Sequence, residues 1–431
     1  MNSKNENLKN EANSIFGSVH GRSKKKKIAI FHCGFIYNGG GERIVLEEAI
    51  GLKERGFDVE VYAPTLDSDK CYPQMVNKLG VKMFLPCFIN ELPFRNAIRM
   101  IVSSVLAPFF SYRFRSTDVF IGANQPGAWI AFCVAKILRK PYIVYLNQPN
   151  GIIYPRPVDL DYGWSTTVRD YQVLFRIFRL IKPIFAWLDN ISIRSANAVL
   201  TNGNYIGGVI ENVYSKTCLD VPAGSHSSPI SELKIDQAYE GSILVSGKRI
   251  RKPYALITNR HDPQKRFDYV ISALKIVLRT YQKAKLIIPG QFTDNTKELL
   301  RLTRKLGLRN KVVFLGPVSE QELQLLYQNA ALYCYPSPEE DFGLGPIEAG
   351  GWGVPTVAWR HGGPTVTVED GKTGLLAEPY EIPDFANKML FLFKNKKKRS
   401  EMGKAAWKRT KEIFSWKNHI DALEETIKEI S

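Results

Sequence analysis

The chain has 431 residues, of which 44% are hydrophobic and 23% are charged, and such a composition is too apolar for a disordered protein. At about 150 residues per domain, this length favours two or three domains. The formal net charge of +17 indicates anionic partners such as phosphorylated ligands or acidic lipid. Because the sequence has no zinc-finger spacing and no basic zipper, we expect no nucleic-acid partner.

The first residues and the cysteines exclude two further classes of protein. Residues 1–27 are polar, lack the apolar core of a secretory signal and are predicted to be a disordered basic tail. No stretch reaches the roughly 18 apolar residues that a membrane span needs. The six cysteines form no CxxC pair, which predicts buried thiols in a reducing compartment rather than disulfides or a metal site.

The N-terminal half opens with alternating strand and helix patterns. Lys27–His32 is a short apolar run typical of a buried strand, and a glycine loop follows at residues 39–41. Apolar residues then recur at helical spacing from Ile44 until Gly56, and residues 59–62 predict the next strand. This strand–helix–strand order indicates a parallel sheet with helices on both faces.

A second alternation follows in the C-terminal half. Five apolar runs predict strands, at residues 254–257, 285–288, 312–315, 332–335 and 355–358. Helical patterns at residues 269–278 and 320–330 lie between some of them. Residues 226–252 are richer in Gly, Ser, Pro and Lys, which is typical of a linker.

These patterns predict an α/β fold of two Rossmann-like domains that face each other across a cleft. The first domain is expected over residues 28–225 and the second over residues 253–411, with residues 412–431 forming a helix that packs back on the first domain. In such folds, ligands bind at the carboxyl ends of the strands. The cleft is therefore the expected site.

The most informative motif is PSPEEDFGLGPIEAG at residues 336–350, which follows a predicted strand and begins a helix. Its glycines allow backbone N–H groups to approach a ligand closely, and a helix N-terminus favours negative charge. Glu340 and Glu348 can accept hydrogen bonds from sugar and ribose hydroxyls. Two exposed glutamates at a helix start are common by themselves, and the complete string makes the functional interpretation specific.

Two further motifs follow predicted strands. In RHDPQK, Arg260 and Lys265 are cations that can neutralise the charge growing on a departing diphosphate. In NGGGER, Gly40 and Gly41 let the backbone close on a phosphate or an acceptor. The latter string is not GxGxxG, so a nicotinamide site is not expected.

Together these stretches resemble glycosyltransferase family 4, which has the two-domain GT-B fold. The resemblance covers residues 260–379, including PSPEEDFGLGPIEA, GVPTVAWRHGG and DGKTGLL, and also residues 28–65 and 118–150. The opening string FHCGFIYNGGGERIVLEEAIGLKERGFDVEVY is similar to the mannosyltransferases that build lipid-linked oligosaccharides.

The resemblance implies a role for each motif residue. Glu340 is expected to be catalytic at the donor hexose, and Glu348 to hold the ribose. Arg260 and Lys265 are expected to be catalytic at the diphosphate. The other donor-binding positions are expected to bring backbone close to the ligand: Phe342, Gly343, Leu344, Gly40 and Gly41.

The implied activity is retaining transfer of a hexose, with mannose favoured, from a GDP- or UDP-linked sugar to a lipid-linked or glycan acceptor. No metal and no cofactor besides the nucleotide sugar is expected. Two D-x-D strings, at residues 67–69 and 159–161, follow no convincing strand edge and are interpreted as acidic loop residues rather than metal ligands.

The sequence departs from the family at two places. Asn147 occupies the position of a histidine that the family often has in an H-x-P pattern, and it is expected on the acceptor side of the cleft. An amide can hydrogen-bond a sugar hydroxyl, but it does not titrate near pH 7. Gly362 and Gly363 are followed by Pro364, where the family often has a glutamate. Both departures leave the identity of the sugar open.

Two segments of the N-terminal half have the composition of interfacial helices. Residues 94–115 carry arginines and no acidic residue, and residues 171–188 are apolar apart from Arg176, Arg179 and Lys182. Buried core helices with a solvated basic stripe would have the same composition. We favour an anionic membrane surface as a partner, and a cytoplasmic protein that is peripheral at the cytoplasmic face of a membrane.

Two alternative functions remain compatible with the sequence. The chain could be a non-catalytic protein that binds a nucleotide sugar or glycan on the same fold, and Asn147 is the feature that favours it. It could also be another GT-B enzyme, such as an epimerase or a sugar phosphorylase, although no lysine is marked as a pyridoxal site. Turnover of a donor separates these possibilities.

Overall fold

The structure is a computed structural model that describes residues 25–83, 95–162, 172–229, 231, 233 and 241–431. Within them the chain forms two parallel sheets, each covered by helices on both faces. The predicted α/β fold with two Rossmann-like domains is confirmed. The predicted tail over residues 1–27 lies almost entirely outside the described residues.

The first domain is built on a parallel sheet. Its described strands are β1 Lys27–His32, β2 Asp58–Ala63, β3 Lys82–Met83, β4 Val119–Ala123, β5 Tyr142–Leu146, β6 Ala198–Thr201 and β7 Leu219–Asp220. They lie in the order β3-β2-β1-β4-β5-β6-β7. The order reverses between β1 and β4, and in a doubly wound sheet the ligand crevice lies at such a point.

The helices of the first domain connect these strands. They are α1 Gly40–Glu54, α2 Pro73–Leu79, α3 Arg95–Phe110, α4 Gly127–Leu138, α5 Pro157–Tyr162, α6 Gln172–Arg194 and α7 Asn204–Tyr214. Residues on both faces of β1, Ile30 on one and Phe31 on the other, are buried under them. This two-sided burial explains why the strand reads as an uninterrupted apolar run.

The second domain is built on a parallel sheet of its own. Its strands are β10 Ala255–Leu256, β11 Leu286–Pro289, β12 Val312–Gly316, β13 Leu332–Tyr335, β14 Thr356–Trp359 and β15 Gly374–Ala377. They lie in the order β12-β11-β10-β13-β14-β15, which reverses between β10 and β13. Each of the five predicted strands coincides with one of these within two residues.

The helices of the second half complete the fold. They are α8 Phe267–Val277, α9 Asn295–Lys305, α10 Glu320–Asn329, α11 Leu344–Gly351, α12 Pro364–Thr367, α13 Ile382–Lys394, α14 Lys396–Glu412 and α15 Trp416–Ile430. Ser319 caps α10 reciprocally with Glu322, which sets where that helix begins.

The predicted linker over residues 226–252 is wrong in its second part. Residues 242–251 form an antiparallel hairpin, β8 Ser242–Val245 and β9 Lys248–Arg251. Ser246 and Gly247 both have positive φ, as a two-residue hairpin turn requires. The Ser, Gly and Lys content that indicates a linker therefore belongs to this turn and to exposed strand positions. Val245 and Ile250 are buried in the core of the second domain.

The C-terminal helix α15 packs on α1 of the first domain. A Cβ atom on Gly51 would lie 2.7 Å from Ile420, so the two helices are in close contact. Behind this contact, the Nε2 atom of His419 lies 3.1 Å from the Glu48 carboxylate, and both side chains are fully buried. The end of the chain is thus part of the first domain's core.

The chain passes between the domains twice, at neighbouring points. The backbone N–H of Ser225 donates to the Phe414 carbonyl at 2.7 Å, and Ser225 forms a parallel bridge with Ser415. A Cβ atom on Gly224 would lie 2.3 Å from the backbone nitrogen of Trp416. The outgoing and returning segments therefore lie side by side.

Candidate active site

The predicted site residues of the second domain lie at the point where its strand order reverses. Arg260 and Lys265 follow β10, and Glu340 follows β13. In the first domain, the Gly40–Gly41 pair follows β1 at the corresponding reversal. Both sets lie at the carboxyl ends of their strands, where doubly wound sheets bind ligands.

Lys265 and Glu340 form an ion pair in the second domain. The Lys265 Nζ atom donates to a carboxylate oxygen of Glu340 at 2.8 Å, and both side chains are mostly buried. Burial opposes ionisation of Glu340, but the Lys265 ammonium, together with Arg156 and the Tyr335 hydroxyl, outweighs it and holds the pKa of the carboxyl below its usual range. Glu340 is therefore a carboxylate at neutral pH and can accept hydrogen bonds from hydroxyls.

The loop that carries Glu340 is supported by Gly362 and Gly363. The Gly363 N–H donates to the Glu340 carbonyl at 2.6 Å, and a Cβ atom there would lie 2.2 Å from the Phe342 backbone. Gly362 has a φ of +71° and would place a Cβ atom 2.6 Å from the same carbonyl. Only glycines fit this close backbone contact.

The loop that carries Arg260 and Lys265 is anchored by His261, which lies inside the RHDPQK motif but was not a predicted site residue. Its imidazole is fully buried among phenylalanine rings and contacts the Thr296 hydroxyl at 3.1 Å. Its backbone carbonyl accepts from Thr293 and Asn295. Burial lowers the pKa of His261 to about 4, so the anchor is neutral.

Glu348 lies one turn inside α11 and bridges the two domains. One of its oxygens accepts from the Tyr327 hydroxyl at 3.2 Å, and the other lies 3.7 Å from the Arg43 guanidinium of α1. Neither Tyr327 nor Arg43 was predicted. Arg43 is the last residue of the NGGGER motif, and that place in the motif is the signal that could have identified it.

The glycine motif of the first domain and Tyr37, the residue before it, contact both motifs of the second. A Cβ atom on Gly40 would lie 2.5 Å from the Leu344 side chain of the second domain, and a Cβ atom on Gly41 would lie 3.0 Å from the Asn147 amide of the first domain. The Arg260 guanidinium stacks on the Tyr37 ring with 4.2 Å between its carbon and the ring centroid. The predicted site residues therefore converge on one cleft.

A contact from outside the predicted motifs joins the domains at the loop that carries Glu340. Arg156 of the first domain donates to the Glu339 carbonyl at 3.0 Å and to the Asp341 carboxylate at 2.7 Å. The Val158 N–H donates to the Glu339 side chain at 3.1 Å. Asp159 lies in helix α5 and holds the same guanidinium, so the expectation that it is a loop residue is wrong.

Three side chains that could ligate a metal ion, His32, Cys33 and Glu42, have donor atoms within 4.8 Å of one another at the end of β1. Burial lowers the pKa of His32 to about 4. The Cys33 sulfur lies 3.4 Å from the His32 Nε2 atom, at thiol hydrogen-bond distance. The thiol and the imidazole can therefore satisfy each other's hydrogen-bonding capacity without a metal ion. That the reaction needs no metal stays a prediction.

Comparison with known proteins agrees with this architecture. Residues 244–409 match the family described as Glycosyl transferases group 1. The α-1,3/1,6-mannosyltransferase ALG2 of Dictyostelium discoideum is 24% identical, covering 94% of this chain and 99% of its own length. The human ALG2 protein is 23% identical over 88% of this chain and 90% of its own.

Solved structures resemble the chain over nearly its whole length. The Anabaena protein Alr3699/HepE in complex with UDP aligns with a TM-score of 0.71 at 17% identity, covering 94% of this chain and 100% of that one. This likeness confirms the predicted GT-B fold.

Proposed function

We propose that this chain, which has the GT-B fold and a Glycosyl transferases group 1 match at residues 244–409, is a glycosyltransferase that transfers a mannosyl residue from a nucleoside-diphosphate sugar to a lipid-linked glycan. One observation carries the proposal: Gly40 and Leu344 meet between the domains, on the motif whose Glu340 pairs with Lys265. Mannose is chosen because both mannosyltransferases compared above align with 88% or more of this chain.

The donor is proposed to lie mainly on the second domain. Glu340, ionised beside Lys265, would accept hydrogen bonds from the hexose hydroxyls, and Glu348 would accept from the ribose. Arg260 and Lys265 would stabilise the charge that grows on the diphosphate as it departs. Fixed groups of this kind contribute about 3–4 kcal/mol each when they act in the transition state.

The transfer is proposed to retain the anomeric configuration. The bond from the anomeric carbon to the diphosphate oxygen breaks, and a bond from that carbon to the acceptor oxygen forms on the same face. The departing diphosphate takes the proton of the acceptor hydroxyl, so no protein nucleophile is needed. The reaction is proposed to need no metal and no further cofactor, because Arg260 and Lys265 supply positive charge.

An anionic membrane surface is the proposed partner of the first domain. Two stripes of exposed apolar side chains lie on this domain. One runs along α3 and the turn after it and consists of Val105, Phe109 and Tyr112. The other runs along α6 and consists of Leu180, Ile184 and Trp187. Phe109 is 73% exposed and Leu180 is 80% exposed, which is costly for large side chains in water. Both helices pack against α4.

Basic residues accompany these stripes. The exposed basic residues on or beside the same three helices are Arg113, Arg115 and Lys136. Each could contribute about 1 kcal/mol to the free energy of binding at an anionic leaflet. The side chains of Arg176 and Arg179 lie outside the described residues. None of the described helices combines the length and the hydrophobicity of a membrane span. On the evidence of the exposed stripes, we propose peripheral binding at the cytoplasmic face, with the acceptor in the same leaflet.

A donor panel tests the proposed activity. GDP-mannose, UDP-glucose, UDP-N-acetylglucosamine and the free nucleotides are compared by thermal shift, and transfer is measured to a short lipid-linked glycan. We expect one mannosyl donor to raise the Tm and to be consumed, and both effects to be lost in Lys265→Ala but kept in Lys283→Ala, an exposed lysine of the same domain. Donor binding without transfer would instead favour the non-catalytic alternative.

Vesicle sedimentation tests the membrane surface. The variant Leu180→Glu/Ile184→Glu/Trp187→Glu should lose binding to vesicles containing phosphatidylserine and lose transfer to vesicle-borne acceptor, while transfer to a water-soluble acceptor is kept. Leu244→Glu is the control, because Leu244 is 67% exposed on the hairpin of the other domain. Equal vesicle binding by all proteins would contradict the proposed surface.

A further inference from the structure

Asn202, which follows β6, has an amide whose orientation is set by the backbone. The N–H of Ala223 donates to the Asn202 Oδ1 atom at 3.0 Å, and a backbone N–H can only donate. The Tyr145 hydroxyl lies 2.6 Å from the same oxygen. The Asn202 side chain is buried, so its Nδ2 atom must point to the opposite side.

That Nδ2 atom determines the orientation of Asn147. It donates to the Asn147 Oδ1 atom at 2.8 Å, so the oxygen of Asn147 is occupied within the protein. The Asn147 Nδ2 atom then faces the cleft, where it lies 3.0 Å from the position of a Cβ atom on Gly41. Asn147 therefore offers hydrogen-bond donors, and not an acceptor, to whatever lies beside the glycine motif.

A second amide is oriented in the same way. The backbone N–H of Asn147 donates to the Asn124 Oδ1 atom at 2.9 Å, which leaves the Asn124 Nδ2 atom 3.6 Å from the same Cβ position on Gly41. Two amide NH₂ groups thus converge on one point of the cleft. Such a point suits a ligand oxygen with free lone pairs.

We infer that Asn202 is a positioning residue for the transfer reaction: it holds the Asn147 amide so that its N–H groups face a ligand oxygen in the cleft. The inference rests on the proposed function only in identifying that oxygen, as a hexose hydroxyl or an oxygen of the diphosphate. An asparagine held in this way donates at every pH, whereas a histidine at the same position would titrate near neutrality.

A double-mutant cycle in turnover tests whether Asn202 acts through Asn147. We expect Asn147→Ala and Asn202→Ala each to lower kcat/KM by about tenfold, and the double variant to be no worse than Asn147→Ala alone. Asn197→Ala is the matched control, because Asn197 makes a comparable hydrogen bond, to the Tyr142 N–H, at the other end of β6. Multiplied losses in the double variant would overturn the inference.

Two further measurements keep the inference separate from the proposed activity. If no hexose donor is turned over, the proposed function fails. Thermal unfolding of wild type, the two single variants and the double variant then still tests the hydrogen bond between Asn202 and Asn147. If the Tm losses of the single variants simply add in the double variant, the inference is overturned. Binding of free GDP and UDP identifies the oxygen: weaker binding to Asn202→Ala indicates the diphosphate, and unchanged binding with slower transfer indicates a hexose hydroxyl.

Discussion

Arg156 and Asp341 form an ion pair across the cleft, with 2.7 Å between the guanidinium nitrogen and the carboxylate oxygen. Asp341 directly follows Glu340, so the approach of the two domains and the position of the Glu340 carboxylate are coupled. Glu339, on the other side, has a φ of +49°, a conformation that a non-glycine residue keeps only when neighbours hold it. Arg156 and Val158 are those neighbours.

Removing the Arg156 guanidinium should therefore slow transfer without abolishing folding. We expect Arg156→Ala to lower kcat by about tenfold or more, because each hydrogen bond to a charged group is worth about 1.5–3 kcal/mol. Arg249→Ala, an exposed arginine on the hairpin, should behave as wild type. Steady-state kinetics measure both variants, and an unchanged kcat in Arg156→Ala would mean that the contact does not limit closure.

Glu340 and Glu348 should be distinguishable by ligand. Glu340→Gln removes the charge beside Lys265 but keeps the shape, so transfer should fall by about tenfold to a hundredfold while free nucleotide still binds. Glu348→Gln should weaken free nucleotide as well as the complete donor, because its proposed partner is the ribose. Calorimetric titration with nucleotide and with nucleotide sugar makes the comparison. An identical pattern in both variants would contradict the assigned roles.

The buried anchor His261 should make the protein sensitive to acid. Its pKa is about 4 in the folded chain because of burial, against an ordinary 6.5. Between these values the unfolded chain binds a proton that the folded chain does not, so the unfolding free energy falls as pH decreases from 6.5. The loss approaches about 3 kcal/mol near pH 4.

Denaturant unfolding at pH 7.5, 5.5 and 4.5 measures this dependence. His261→Asn lacks the titrating group, so its unfolding free energy should fall less between pH 7.5 and 4.5 than that of wild type. His226→Asn serves as the control, because His226 is exposed. If both variants keep the wild-type slope, another group causes the acid sensitivity.

Gly40 should control how closely the domains approach. A Cβ atom there overlaps Leu344, so Gly40→Ala should weaken donor binding by about 1–3 kcal/mol. Gly40→Ala/Leu344→Ala should recover part of the loss, because the second change makes room. Gly208→Ala is the neutral comparison, with no atom within 4 Å of its added methyl group. Donor affinity is the measurement, and failure of the double variant to recover would argue against a steric cause.

Much of this architecture could be predicted because its signals are local. A buried parallel strand reads as an apolar run, so β13 is predicted at its observed bounds. The motif residues were identifiable because each motif is contiguous and follows a strand. The hairpin was missed because its alternation of exposed and buried residues, around Val245 and Ile250, is weak beside its Ser, Gly and Lys content.

The contacts between the domains could not be predicted in this way. Arg156 and Asp341 are 185 positions apart in the sequence, and no local pattern links a basic residue near a proline to an acid in another domain. The amide of Asn202 is oriented by the backbone N–H of Ala223. An alanine in the sequence gives no signal of such a role. The first geometry follows from how two folded units meet, and the second from how distant segments of the first domain pack together.

The paired crossings at Ser225 and Phe414 limit how those units can move. Two covalent connections at one point, joined by a hydrogen bond, resist torsion more strongly than a single strand would. We therefore expect the domains to bend about this point more easily than they twist, because a twist would strain the bridge between Ser225 and Ser415. Opening and closing of the cleft should then approach a hinge motion, with residues such as Arg156 moving along an arc centred on this bridge.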